Sequence, residues 1–155
     1  MIIQQLSVFL ENRSGRLTQV LEVLGRENIK ITALSVADTS EFGILRLLVT
    51  DPDKAKQILK NNDFTVNITE VISVSAPSEA KHYAKVLKIL SDRNISVEYT
   101  YAFTVDDKSI IILRCSNNRE AINELKSHEM DLNPLIGSPD SITVVDARIR
   151  IEKNK

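Results

Sequence analysis

The chain has no tryptophan and a single cysteine, and it contains only four glycines, four prolines and 5% aromatic residues. A lone thiol, Cys115, cannot close an internal disulfide, and its place in an apolar run reads as a small buried hydrophobe rather than a reactive group. No excess of either charge is present: 20 basic and 21 acidic residues give a net charge of −1. They are scattered, so no basic field can hold a phosphate backbone, and nucleic acid is not an expected partner. The longest apolar runs, such as Ile110 to Leu113, fall far short of a membrane span. The opening MIIQQLSVFLENRSG lacks the basic start and cleavage site of a signal peptide, so a cytoplasmic protein without membrane contact is expected. His82 and His128 stand in no metal-ligand spacing, and neither a phosphate-binding glycine loop nor a nucleophile elbow occurs. The expectation is therefore a protein that is not an enzyme, with no cofactor and no metal. The remainder is 43% hydrophobic and 26% charged, the balance of a folded, soluble chain. At 155 residues a useful core requires one ordinary domain or two small units that support each other.

The sequence matches itself when shifted by 66 residues. VLEVLGRENIKI from Val20 falls on VLKILSDRNISV from Val86, and AKQILK from Ala55 falls on AINELK from Ala121. IIQQLSVFL from Ile2 falls on ITEVISVSA from Ile68, and GILRLLVT from Gly43 falls on SIIILRCS from Ser109. Four matches at one shift point to duplication.

Each copy changes its hydrophobic period in the same order. Leu6, Val8 and Leu10 alternate, as in a strand; Leu17, Val20, Leu21 and Leu24 recur at threes and fours, giving one apolar face on a helix that Asn28 ends. Two strands follow, through Ser35 and Val36 and from Gly43 to Val49. Asp51-Pro52 then reads as a cap and first turn of a second helix, with Asn117 the matching cap. The order is β-α-β-β-α with room for a closing strand. It predicts an α+β fold of two ferredoxin-like βαββαβ units, each an antiparallel sheet with helices on one face, paired side by side to cover open edges. The units are expected at residues 1–67 and 68–155, with the boundary between 66 and 76. The segment DLNPLIGSPDS reads as a loop, and Val145, Ala147, Ile149 and Ile151 alternate as a last strand whose parent copy stays open.

The segment Asn12-Arg13-Ser14-Gly15-Arg16-Leu17, between the first strand and helix, resembles the strand-to-helix turn of the ACT domain family, whose N-x-x-G-x-L signature is matched by Asn12, Gly15 and Leu17. The run from Leu17 to Ile31 and the tandem copy extend the resemblance over nearly the whole chain. It implies a regulatory protein that binds an amino acid or another small effector between paired domains, as a homo-oligomer acting on a metabolic enzyme supplied as a separate partner.

On physical grounds, a glycine at that turn admits unusual backbone angles and close approach of a ligand, and the helix start offers free N–H groups to a carboxylate. Asn12 and Ser14 add hydrogen-bonding groups, and Arg13 or Arg16 a cation. All four are equally ordinary turn and surface residues. The second copy has Lys81 where Gly15 stands, so its turn is expected to bind nothing. Instead it has Tyr99, Tyr101 and Phe103 aligned with Ala33, Ser35 and Ala37. Tyr99 and Tyr101 read either as walls of a pocket near the first turn or as core; Phe103 reads as core. The candidate ligand residues are thus Asn12 to Leu17, Ser35, Val36, Tyr99 and Tyr101. Rival readings are an interaction subunit with no ligand of its own and, from shared topology alone, an acylphosphatase-like enzyme.

Overall fold

A computed structural model describes residues 2–11, 13–38 and 42–132. The expected loop after Met130 therefore lies almost wholly outside the described residues, as does the last strand. Ten elements follow in order: β1 (Ile2–Glu11), α1 (Arg16–Arg26), β2 (Ile31–Asp38), β3 (Phe42–Val49), α2 (Pro52–Asn61), β4 (Thr65–Pro77), α3 (Ala80–Ser91), β5 (Val97–Val105), β6 (Lys108–Cys115) and α4 (Asn118–Ser127). The six strands form one antiparallel sheet in the order β2-β3-β1-β4-β6-β5.

The 66-residue repeat holds at fine detail. β3 and α2 recur as β6 and α4 without offset. Asn28 and Asn94 both take left-handed backbone angles, φ 58° and 56°, as do Asp63 and Glu129. Both edge strands carry a register shift at the same place, between Ile31 and Ala33 and between Val97 and Tyr99. Asp51 and Asn117 each cap a helix by accepting a hydrogen bond from a backbone N–H three residues on. The closing strand of the first copy and the opening strand of the second are one element. No turn residue interrupts Thr65 to Ala76, so β4 runs through the expected boundary, pairing with β1 over Thr65–Ile72 and with β6 over Ile72–Pro77.

All four helices lie on one face. Alternate residues of the strands face them, and these split into two cores. Leu6, Val8, Leu45 and Leu47 pack under α1 and α2; Ile72, Val74, Ile111 and Leu113 pack under α3 and α4. The opposite face is curled. In a flat sheet β3 and β5 lie four strand spacings apart, roughly 19 Å. Yet the Arg46 guanidinium of β3 lies 3.6 Å from the centre of the Tyr99 ring of β5. The sheet therefore bends until its second-repeat edge closes over the first repeat, burying Ile3, Ala33, Leu48, Val71, Ile110 and Ile112 in a third core.

Two measurements check this packing. Asp51→Ala and Asn117→Ala each remove one cap and should each cost about 1 kcal/mol, roughly 2–4 °C in Tm for each; a large inequality would break the equivalence of the repeats. Burial pushes the Cys115 thiol from 9.0 up to about 11. The folded state then holds a proton that the unfolded state has released, so stability should fall as pH rises from 9 to 11, and Cys115→Ala should flatten that fall.

Candidate functional site

The turn after β1 is shaped by one glycine. Gly15 sits at φ 89°, ψ −10°, at the N-cap of α1, where it offers no side chain to cap the helix. The Gln19 N–H reaches the Gly15 carbonyl at 3.0 Å, while the earlier N–H groups of the first turn, Leu17 and Thr18, point out of the helix start without a helical acceptor. No acidic residue lies in that turn. α2 and α4, by contrast, have Asp51 and Asn117 in place. A methyl group added to Gly15 would meet no atom within 4 Å, so the space before the helix start is open.

Beside this turn is a cleft of about 300 Å³, formed by Leu10 and Glu11 at the end of β1, Arg13, Arg16 and Leu17, and Val36 and Gly43 from the next two strands. Arg16 is its best-held cation. Its side chain is 15% exposed, its Nε lies 3.3 Å from Glu11, one terminal nitrogen donates to Gln19 at 2.7 Å, and its guanidinium stacks on Phe64 at 4.3 Å. A second cleft of about 330 Å³ opens on its other side between α1, Asn62 and Phe64. Arg13, 60% exposed, lies 3.7 Å from the same Glu11 and is free to turn. An exposed pair such as Arg13–Glu11 contributes little to stability. The two pairs hold two cations at the helix start with one carboxylate to share.

The expected site residues fall into two groups. Arg13, Ser14, Gly15, Arg16 and Leu17 form the turn, and Val36 joins them in the cleft. Asn12 lies outside the described residues. Ser35, one residue from Val36, faces the other side of the sheet, in register with Arg46. Tyr99 and Tyr101 are on that side too. Both bind Gln5: its amide nitrogen donates to the Tyr99 oxygen at 2.8 Å, and the Tyr101 hydroxyl donates to its amide oxygen at 2.6 Å. Gln5 precedes Glu11 by six strand residues, roughly 20 Å, so neither tyrosine walls the turn cleft. Burial raises the Tyr101 pKa far above the usual tyrosine range, which keeps its hydroxyl neutral.

Gln5, Ser7, Arg46 and Thr69 complete this polar cluster and are not among the ligand residues expected from the sequence. Their signal was a polar residue in an otherwise apolar strand: Gln5 between Ile3 and Leu6, Arg46 between Leu45 and Leu47. In the second repeat α3 begins at Ala80, two residues before His82, the counterpart of Arg16. The open loop is thereby shortened, and a cleft of about 270 Å³ with His82, Lys85 and Lys108 lies beside it. Among the described residues no group of three or more His, Cys, Asp or Glu side chains is placed to hold a metal, and no helix is long and apolar enough to cross a membrane.

A model of the family described as an ACT domain pair matches residues 1–132. A protein of solved structure from Bacteroides thetaiotaomicron is 47% identical, with a TM-score of 0.82 over 86% of this chain and 92% of that one. The ligand-free regulatory subunit of aspartate kinase from Thermus thermophilus has the same fold at 12% identity, with a TM-score of 0.58 over 80% and 91%. Aspartokinase III of E. coli, solved in complex with lysine and aspartate, is similar over 83% of this chain and 31% of its own, at 16% identity and a TM-score of 0.52. No curated protein matches this sequence.

Two glycines, one at the N-cap of α1 and one within it, give opposite expectations. Gly15→Ala meets no clash but must keep a left-handed backbone, so it should destabilise by about 1–2 kcal/mol. Gly25 is helical and also faces open space, so Gly25→Ala should stabilise by roughly 0.5–1 kcal/mol. Urea unfolding of both variants measures the contrast, and equal effects would contradict the strained turn.

Proposed function

The chain belongs to the ACT domain pair family, and from that premise we propose that it is a non-catalytic regulatory protein that binds a free amino acid at the turn of its first repeat and controls a metabolic enzyme carried on another chain. The observation that supports this most is the open, uncapped start of α1. Gly15 lets the backbone turn away, leaving the helix start without a side-chain cap beside a cleft that also presents Arg13 and Arg16. An α-carboxylate fits such a helix start, and Leu10, Leu17 and Val36 offer apolar contact to a side chain. The two units on either side of β4 are read as residues 1–67 and from 68 onward, with one effector site per pair, since the second turn has lost its glycine and its loop. A second copy of the chain would cover the outer edge of β2, where Leu34 and Val36 are 45% and 47% exposed beside the cleft.

One observation favours a second reading, a docking subunit. The outer side of α3 forms a shallow, mostly apolar cleft of about 520 Å³ around Tyr83, Ala84 and Leu87. The two readings differ in what stabilises the protein. Thermal unfolding in the presence of each of the twenty amino acids should show a selective upward shift. At 100 times Kd the gain is about 2.7 kcal/mol, roughly 5–10 °C for a chain of this length. Gly15→Val should remove that shift. A midpoint that no amino acid moves, together with recovery of an enzyme through the α3 face, would replace sensing by docking.

A further inference from the structure

Arg46, on the curled face, is left without an anion among the described residues, whereas Arg114 on the same face pairs with Glu98. It lies between Leu45 and Leu47, both sealed under the helices, so its side chain goes to the opposite side of β3. There it lies flat against Tyr99, 3.6 Å from the ring centre. Among the described residues it makes no ion pair and no hydrogen bond. Its Nε is shut off from solvent with no acceptor. Stacking on an aromatic ring attracts the positive charge but accepts none of its N–H groups. A partly buried guanidinium with an unmet donor is costly, and structures seldom leave one without a counter-ion, water or ligand.

The surroundings supply what an anion would need. Tyr99 covers one flat side of the guanidinium and fixes its plane, which leaves the donor edge. Ser7 and Ser35 are the two cross-strand partners of Arg46, on β1 and β2, and both share its face and are half-buried. The Ser7 hydroxyl contacts Gln5 at 3.2 Å and Thr69 at 3.0 Å, which fixes its place. The Ser35 hydroxyl has no hydrogen-bond partner among the described residues. Two hydroxyl-bearing residues thus stand on the strands either side of Arg46, on the same curved surface.

We propose that Arg46, Ser7 and Ser35, roofed by Tyr99, form a site for a small free carboxylate. The guanidinium edge matches the two oxygens of a carboxylate in plane, and the serine hydroxyls donate to the lone pairs that remain. The site lies on the opposite face of the sheet from the turn cleft and does not depend on it. It draws Arg46 and the serines from the first repeat and Tyr99 from the second, so a bound carboxylate stabilises the closed curl between the repeats.

The test uses the full chain with ¹⁵N-labelled arginine. The Nε–Hε signals of Arg46, Arg13 and Arg16 are followed by NMR at constant ionic strength while chloride is replaced by acetate, and separately by inorganic phosphate. The expected result is a saturable shift of the Arg46 signal with acetate, at least tenfold weaker binding of phosphate, and a five- to tenfold loss of acetate affinity in Ser35→Ala. Arg46→Gln should abolish the acetate-dependent rise in Tm. Should that variant fail to fold, Ser35→Ala carries the test. An acetate response at Arg13 and Arg16 with none at Arg46 places the carboxylate at the turn alone and overturns the second site. A saturable response to phosphate with none to acetate overturns the carboxylate assignment, and a change linear in concentration overturns the site.

Discussion

β4 holds the two repeats together because a strand has two edges and this one uses both. Its first eight residues, Thr65–Ile72, bond to β1, and its last six, Ile72–Pro77, bond to β6. Ile72 faces the Ile2 position on one side and the Leu113 position on the other, fully buried. Each repeat therefore borrows the strand that the other needs, and neither can separate without unpairing backbone that would have to be resolvated. Both helix-covered cores rest on it as well, Val66 contributing to one and Ile72, Val74 and Ala76 to the other.

Sharing a strand joins the repeats edge to edge but leaves the helix-free face bare. The curl covers that face, and a polar cluster fixes it. Gln5 is fully buried, yet its amide nitrogen serves Ser7 and Tyr99 and its amide oxygen accepts from Tyr101. A buried amide with its groups so committed tolerates few arrangements, so it specifies one closure where an apolar contact would slide. Around it Ile3, Leu48, Val71 and Ile112 supply the burial. The hydroxyls of the β5 tyrosines thus work as structural contacts across repeats, and the Tyr99 ring adds its contact with Arg46.

The asymmetry between repeats lies in the two turns. Gly15 keeps a four-residue link between β1 and α1, with an exposed helix start, whereas in the second repeat α3 grows back to Ala80 and shortens the link to Ser78 and Glu79. Duplicated units that share a core are free to differ where the chain leaves the sheet, since a loop there touches little of the packing.

The sequence alone carries the duplication, the element order, the helix caps and the faces turned to the helices, because period, cap chemistry and left-handed turn residues are local properties. Asp51 and Asn117, or Asn28 and Asn94, act through neighbours within four residues. It also marked Gly15, whose backbone angle is set by its own lack of a side chain. That one strand serves both repeats emerges in three dimensions, since nothing local says which of two edges a strand will use. The same holds for Tyr99, which lies on Arg46, 53 residues earlier, and not beside the turn. That placement depends on how far the sheet bends, and bending is a sum over strands that no single stretch of residues encodes.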